Sequence, residues 1–256
     1  MGRRYGSVAF VSSPSPEAEA ACAALEARYE HVPPEEAAVV VALGGDGLML
    51  RTLHRFMGTG KPVYGMNKGS VGFLMNDFGQ EDLLDRLEMT HRSVVHPLLM
   101  RADDADGRTH EARAINEIYM LRQTHQAAKL TVEVDGRVRL SELVADGILV
   151  ATPFGSTAYN LSVNGPILPL DSPLLALTPI SAFRPRRWRG ALLPDRASIK
   201  VDVIEPTLRP VSAVADHQEF RRITSVSASM DYGIDLVMLH DPGHGLDERI
   251  LREQFD

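Results

Sequence analysis

The stretch Ala38-Val39-Val40-Val41-Ala42-Leu43-Gly44-Gly45-Asp46-Gly47 decides how the chain is read. Its first six residues are apolar and rich in valine, the pattern of a strand buried on both faces. Beyond the glycines, Leu48 to Met57 carries apolar residues at helical spacing until Gly58 stops it. Gly44-Gly45-Asp46-Gly47 therefore occupies a strand-to-helix turn, where backbone amides converge and the helix dipole favours an anion. Glycine lets such a backbone approach a polyphosphate with no Cβ in the way. A carboxylate in that place repels the phosphates the turn attracts. It makes chemical sense if Asp46 accepts a proton from a hydroxyl attacking a phosphoryl group, or helps hold a metal beside it. The alternative is a structural turn in which Asp46 caps the helix through its own side chain. The turn alone leaves both readings open.

Outward from this turn, residues 1–93 alternate strand and helix signals. Tyr5 to Val11 reads as a strand, Ser15-Pro16 opens a helix to about Tyr29, Pro62 to Met66 is extended, and Gln80 to about Glu88 is helical. That alternation predicts an α/β domain with a Rossmann-like parallel sheet, binding ligands beyond the carboxyl ends of its strands. From about Ser93 the pattern becomes strands joined by tight turns, with hairpin signals at Asp106-Gly107 and Asp135-Gly136. Leu130–Val134, Ile199–Val203, Val211–Ala215, Ile223–Ala228 and Ile234–Leu239 read as strands, with Ser172–Thr178 as a helical interruption. Residues 94–238 are thus expected to form a β-rich, sandwich-like second domain, followed by a tail over 239–256.

With 256 residues, 44% hydrophobic and 24% charged, the chain has ample core for two modest domains. The formal net charge of −7 argues against a general affinity for nucleic acid or an anionic membrane. No apolar run reaches membrane-spanning length and no signal-peptide pattern opens the chain. The single Cys22 suits a reducing compartment, so a cytoplasmic enzyme is expected.

A second dense stretch runs from Asp146-Gly147 through Thr152-Pro153-Phe154-Gly155-Ser156-Thr157-Ala158-Tyr159-Asn160. A strand enters a loop offering hydroxyls, the small Ala158 and the flat ring of Tyr159, which suits a nucleoside; a plain turn with a helix cap is the alternative. Asn116-Glu117 adds a polar pair where strand alternation predicts one apolar residue. Together with Asn67 through Gly69 and Gly72-Phe73-Leu74, these motifs closely resemble the NAD kinase family, in order and approximate spacing, over most of the chain. The Gly-Gly-Asp-Gly turn alone is shared with lipid kinases; the Gly155–Asn160 segment coupled to Asn116-Glu117 singles out the dinucleotide enzyme.

The resemblance implies transfer of the ATP γ-phosphoryl group to the 2′-hydroxyl of the adenosine ribose of NAD, with Mg²⁺ or another divalent cation accompanying ATP. It implies Asp46 as general base and Gly44, Gly45 and Gly47 against phosphate. Phe73, Asn116, Glu117, Asp146, Thr157, Ala158, Tyr159, Ser162 and His217 match positions that meet the nucleotide. It also implies a homodimer or homotetramer, and a tail that returns to the N-terminal domain. Two positions depart from the pattern: Leu48 replaces a frequent threonine, and Ser70 a frequent histidine. There is no P-loop, and no Gly-x-Gly-x-x-Gly fingerprint. No metal site is expected at His240 and His244, because Pro242 and Gly243 break the helix that would align them. The basic run Arg184–Arg189 reads as a solvated loop with Trp188 packed inward; contact with a phosphate or a neighbouring subunit is the alternative. The competing classes are a lipid kinase, which lacks support from any basic amphipathic helix, and a NADP-sensing module, which gains little from Asp46.

Overall fold

The computed structural model describes residues 4–69 and 74–243. In chain order its elements begin with β1 (Val8–Ser12), α1 (Pro16–Arg28), β2 (Val39–Gly44), α2 (Asp46–Arg55), β3 (Val63–Asn67), α3 (Leu83–Met89) and β4 (His91–Val95). There follow β5 (Leu98–Asp104), β6 (Thr109–Ala114), β7 (Glu117–Arg122), β8 (Ala128–Val134), β9 (Arg137–Ala145) and β10 (Gly147–Ala151). A 3₁₀ turn, Phe154–Thr157, leads into the short α4 (Tyr159–Ser162). The last strands are β11 (Leu174–Ile180), β12 (Ala191–Pro194), β13 (Ile199–Val203), β14 (Val211–Ala215), β15 (Gln218–Met230) and β16 (Leu236–His240).

The chain divides into two compact units, the first reaching Val95 and resuming at Gly233, the second His96–Tyr232. The first is built on a five-stranded sheet in the order β1-β2-β3-β16-β4, parallel except for the antiparallel edge strand β4. All six residues of β2 are buried, as its valine-rich run predicts for a strand covered on both faces. Helix α1 begins with Ser15 accepting the Ala18 N–H and Pro16 in the first turn, and it buries Ala18, Ala21, Cys22 and Leu25. Register pairs Ser12 with Leu43 and Gly44 with Asn67, so the glycine turn emerges at the carboxyl edge of the parallel strands.

Strand β16 corrects one expectation. The sequence places Ile234–Leu239 in the β-rich domain, yet Leu236–His240 pairs with β3 and β4 in the first sheet. Its buried, unalternating side chains belong to a central strand of an α/β sheet. A polar cluster fastens its end: Asp241 accepts from Tyr64 Oη at 2.8 Å and from Arg86 at 2.5 Å, and its N–H donates to Asn76. The remainder of the expected tail, 244–256, lies outside the described residues.

In the second unit eleven strands form one hydrogen-bonded antiparallel sheet, in the order β12-β11-β10-β7-β14-β15-β13-β8-β9, with β5 joined to β15 and β6. The long β15 makes this possible, pairing with β14 early and with β13 and β5 later. Strand β8 alternates buried and half-buried residues throughout, and one apolar core takes side chains from nearly every strand. The Asp135-Gly136 hairpin is a two-residue turn with both residues at positive φ, as its sequence predicts. The expected helix at Ser172–Thr178 is instead strand β11. Leu174 to Leu177 are good helix formers, but burial between β10 and β12 overrides that preference.

Candidate active site

In the first unit the glycine turn is shaped by packing at one end and by open space at the other. A Cβ on Gly44 would lie 3.0 Å from both Leu48 Cδ2 and Ser13 Oγ, whereas one on Gly45 meets nothing within 4 Å. The carbonyl of Gly44 accepts the Lys68 N–H at 2.9 Å, tying the turn to the end of β3. Gly45 is the N-cap of α2 and supplies no side-chain cap, so Asp46 is the first helical residue and does not cap the helix. Its Oδ1 instead accepts the N–H of Leu74 at 2.8 Å. Asp46 thus sits at the start of α2, where the N-cap carbonyl of Gly45 already accepts the Leu48 and Met49 N–H groups at 3.0 and 3.2 Å. Two further neighbours, Arg51 and Asn67, have no role assigned to them by the sequence. The Arg51 guanidinium lies 3.7 Å from where a Gly47 Cβ would be, adding a cation at four-residue helical spacing. Asn67, opposite Gly44, has a buried Oδ1 with no hydrogen-bond partner among the described residues.

In the second unit the site is a knot of backbone. Asn116 lies in the bend between β6 and β7 and Glu117 opens β7, so the polar pair marks a strand break, where an uninterrupted strand was expected. Asp216, in the β14–β15 turn at φ 50°, binds this bend: its carboxylate accepts the N–H groups of Ile115 at 2.7 Å, Asn116 at 3.0 Å and Glu117 at 3.3 Å. Thr152 Oγ1 donates to the Ile115 carbonyl at 2.8 Å and accepts the Gly155 N–H at 3.0 Å. Gly155 presses on the same bend, for a Cβ there would stand 2.2 Å from the Asn116 carbonyl oxygen.

Beneath the loop, Asn160 is fully buried. Its amide donates to the carbonyls of Ser156 and Pro166 and its oxygen accepts from Thr178 at 2.7 Å, while Gly165 closes over it. Tyr159, next to Asn160, keeps part of its ring exposed and packs edge-on against Tyr119 at 5.1 Å. Burial, with the charges of Glu117 and Asp146, pushes the Tyr159 phenol up. Asp146 pairs with Arg122 at 2.5 Å, and Gly147 beside it fits only without a side chain, 1.9 Å from the Met120 oxygen at its would-be Cβ.

The structure therefore brings Gly155 against Asn116 and Tyr159 against Glu117, with Thr157 and Ala158 between those contacts in the chain and Asp146 near enough to act on Tyr159. Ser162 ends α4 on the surface, and His217 is exposed in the turn that begins at Asp216. Gly44, Gly45, Asp46 and Gly47 are together in the first unit. Phe73 lies outside the described residues. The binding of three amides by Asp216 is a long-range fact that its neighbours in the chain do not signal. Among the described residues no group of three or more His, Cys, Asp or Glu side chains could hold a metal ion, and no helix is long and apolar enough to cross a membrane.

Comparison with known proteins is consistent across the whole length. The family model for the ATP-NAD kinase N-terminal domain matches residues 2–87, and that for the ATP-NAD kinase C-terminal domain matches residues 115–233. The chain is 58% identical to the NAD kinase of Hyphomonas neptunium over 97% of both chains. It is 54% identical to that of Rhizobium meliloti over 100% of this chain and 99% of the relative. Its fold is similar to that of yeast NADH kinase complexed with NADH (TM-score 0.83, 20% identity, 97% of this chain and 87% of that one). It is also similar to an NAD kinase from Archaeoglobus fulgidus in complex with ATP (TM-score 0.73, 23% identity, 97% and 96%).

Proposed function

The chain belongs to the NAD kinase family, and on that premise we propose how its residues divide the family's reaction. The protein is a phosphotransferase that uses ATP to convert NAD to NADP. Asp46 is the general base. Its carboxylate takes the proton from the 2′-hydroxyl of the adenosine ribose; the freed oxygen forms a bond to the γ-phosphorus as the bond from that phosphorus to the β,γ-bridging oxygen breaks, releasing ADP. The observation that carries this reading is the helix start: Gly45 holds the N-cap, leaving the Asp46 carboxylate outside the capping role.

Gly44, Gly45 and Gly47 line the phosphates, with the α2 amides and Arg51 supplying positive potential. A divalent cation enters as part of the substrate, MgATP, and neutralises phosphate charge. Asn116, Glu117, Asp146, Thr157, Ala158, Tyr159, Ser162 and His217, with Phe73, hold the dinucleotide. Tyr159 supplies a flat wall whose partner ring Tyr119 limits its tilt. We read the protein as cytoplasmic, given its one buried cysteine, and as a homodimer or homotetramer. The sheet edges β9 and β12 support association, since they carry the exposed apolar residues Val138 and Leu192. A light-scattering mass of 28.1 kDa at micromolar concentration would contradict that.

The test of function is an assay of purified protein with MgATP and either NAD or diacylglycerol. Phosphate appearing on the ribose 2′-position of NAD, and none on the lipid, supports the assignment. NAD binding without turnover would favour a sensing module.

A further inference from the structure

Glu117 is 6% exposed at the start of β7, and its main chain is fixed twice to Asp216. The Glu117 N–H donates to Asp216 Oδ1 at 3.3 Å, and the Asp216 N–H donates to the Glu117 carbonyl at 3.1 Å. Two acidic side chains are thereby held side by side, in unequal surroundings. The Asp216 carboxylate accepts three backbone N–H groups. The Glu117 carboxyl receives the backbone N–H of Tyr159, and its Oε2 is buried with no partner among the described residues.

The groups around it do not offset a second negative charge. Asp216 and His217 come from the β14–β15 turn, Tyr119 from β7 and Tyr159 from α4. Asp146 acts on Tyr159 and is met by Arg122, and Glu219 acts on Tyr119 and is met by Ser212 and Arg221. None of the groups acting on the Glu117 carboxyl is a cation. Two adjacent carboxyls in one poorly solvated place do not both ionise readily, and Glu117 is the one left with an unpartnered buried oxygen among the described residues.

We propose that Glu117 is a positioning residue that works as a neutral carboxylic acid: its retained proton adds no charge beside Asp216, and loss of that proton loosens the hold on an anionic dinucleotide. Burial and the neighbouring Asp216 charge push the Glu117 carboxyl up to about 8, in keeping with that geometry. A carboxylate accepting ribose hydroxyls, the usual expectation for an acidic residue at a nucleotide, is then not its resting state. The proposal rests on the dinucleotide role given to this loop, so the experiment separates the two.

The first measurement uses the full chain, without ligand, carrying ¹³C-labelled glutamate side chains. The resonance missing from Glu117→Gln is expected to titrate above pH 7. A midpoint in the ordinary glutamate range, about 4–5, overturns the proposal whatever the loop binds. The second measures NAD affinity by calorimetry from pH 6.5 to 9.5. The wild-type dissociation constant is expected to rise about 3- to 30-fold, the effect of one new charge near the site. Glu117→Ala should bind weakly, and Glu117→Gln should restore much of the affinity with a flat pH profile. A Gln variant as weak as Ala at pH 6.5 shows that the anion is required and overturns the proposal. Failure of the folded wild-type protein to bind NAD instead overturns the dinucleotide reading and leaves the resonance result standing.

Discussion

The glycine turn of the first unit and the Thr152–Asn160 loop of the second do their work by opposite means. The turn is nearly local: a buried strand, a break and a helix place Asp46, and the space beside Gly45 is open. The loop has no such autonomy. Its shape depends on the Asn116 bend, on Asp216 from a distant turn, and on Asn160 bonded to Thr178 of β11. A site for phosphate can be built from main-chain amides and a helix dipole, which any correctly placed turn supplies. The nucleoside site proposed at the loop needs fixed edges and walls, and the chain obtains rigidity there by interlocking remote segments.

The comparison breaks most visibly at Asp46. Asp46→Asn keeps an oxygen for the Leu74 amide but loses the base, so kcat should fall by about 10²–10⁴ with NAD affinity and thermal stability little changed. Near-normal turnover in the folded variant would remove the general-base role. The two glycines sharpen the contrast. Gly155→Ala drives a methyl into the Asn116 backbone and should cost about 2–4 kcal/mol of stability by denaturant unfolding. Gly45→Ala has room and should change stability by less than about 1 kcal/mol while lowering kcat/KM, because the methyl occupies ligand space. Equal stability losses at both positions would erase the distinction.

Glu117 adds a pH signature. Its carboxyl is neutral in the fold up to about 8 but ionises near 4.5 in the unfolded chain, so its contribution is full below that value. Stability should therefore decline as pH climbs from 4.5 to about 8, by about 1–4 kcal/mol from this group, and Glu117→Gln should remove that slope. Denaturant midpoints of the two proteins at pH 5 and pH 8 measure it. Tyr159→Ala tests the loop's flat wall. Loss of the wall should weaken NAD by about 1–3 kcal/mol with the fold retained, and calorimetry giving an unchanged affinity would return Tyr159 to a packing role.

What could be read from the chain divides along the same line. The α/β alternation, β2, α2 and the tight hairpins carry their own local signals, and they stand where the periodicity puts them. The Leu174–Ile180 strand did not, since its residues prefer helix and only a place inside the sheet makes them extended. Leu236–His240 reads correctly as a strand, but nothing local says which sheet it joins. At the site, motif residues were legible as types, whereas the supports were not. Asp216 gripping three amides, Gly155 seated on Asn116 and Asn160 as a buried brace are contacts between positions far apart in sequence, visible only once the chain is folded. Arg51 had a signal available, at four-residue spacing from Gly47, and Asn67 stood within a quoted motif without its register being known.

Strand β16 carries a consequence for synthesis. The first unit is discontinuous, and Tyr64 waits for Asp241, 177 positions downstream, before its hydroxyl is bonded. While the ribosome makes the second unit, β3 has only one of its two sheet partners, and its other edge is unpaired. The second unit is continuous and has all its strands once Met230 is out, so it can close first. The unit that begins the chain is thus the one that finishes last. Its Asp46 turn hangs from β2, a strand whose neighbour gains its second edge only after the whole second unit has been made.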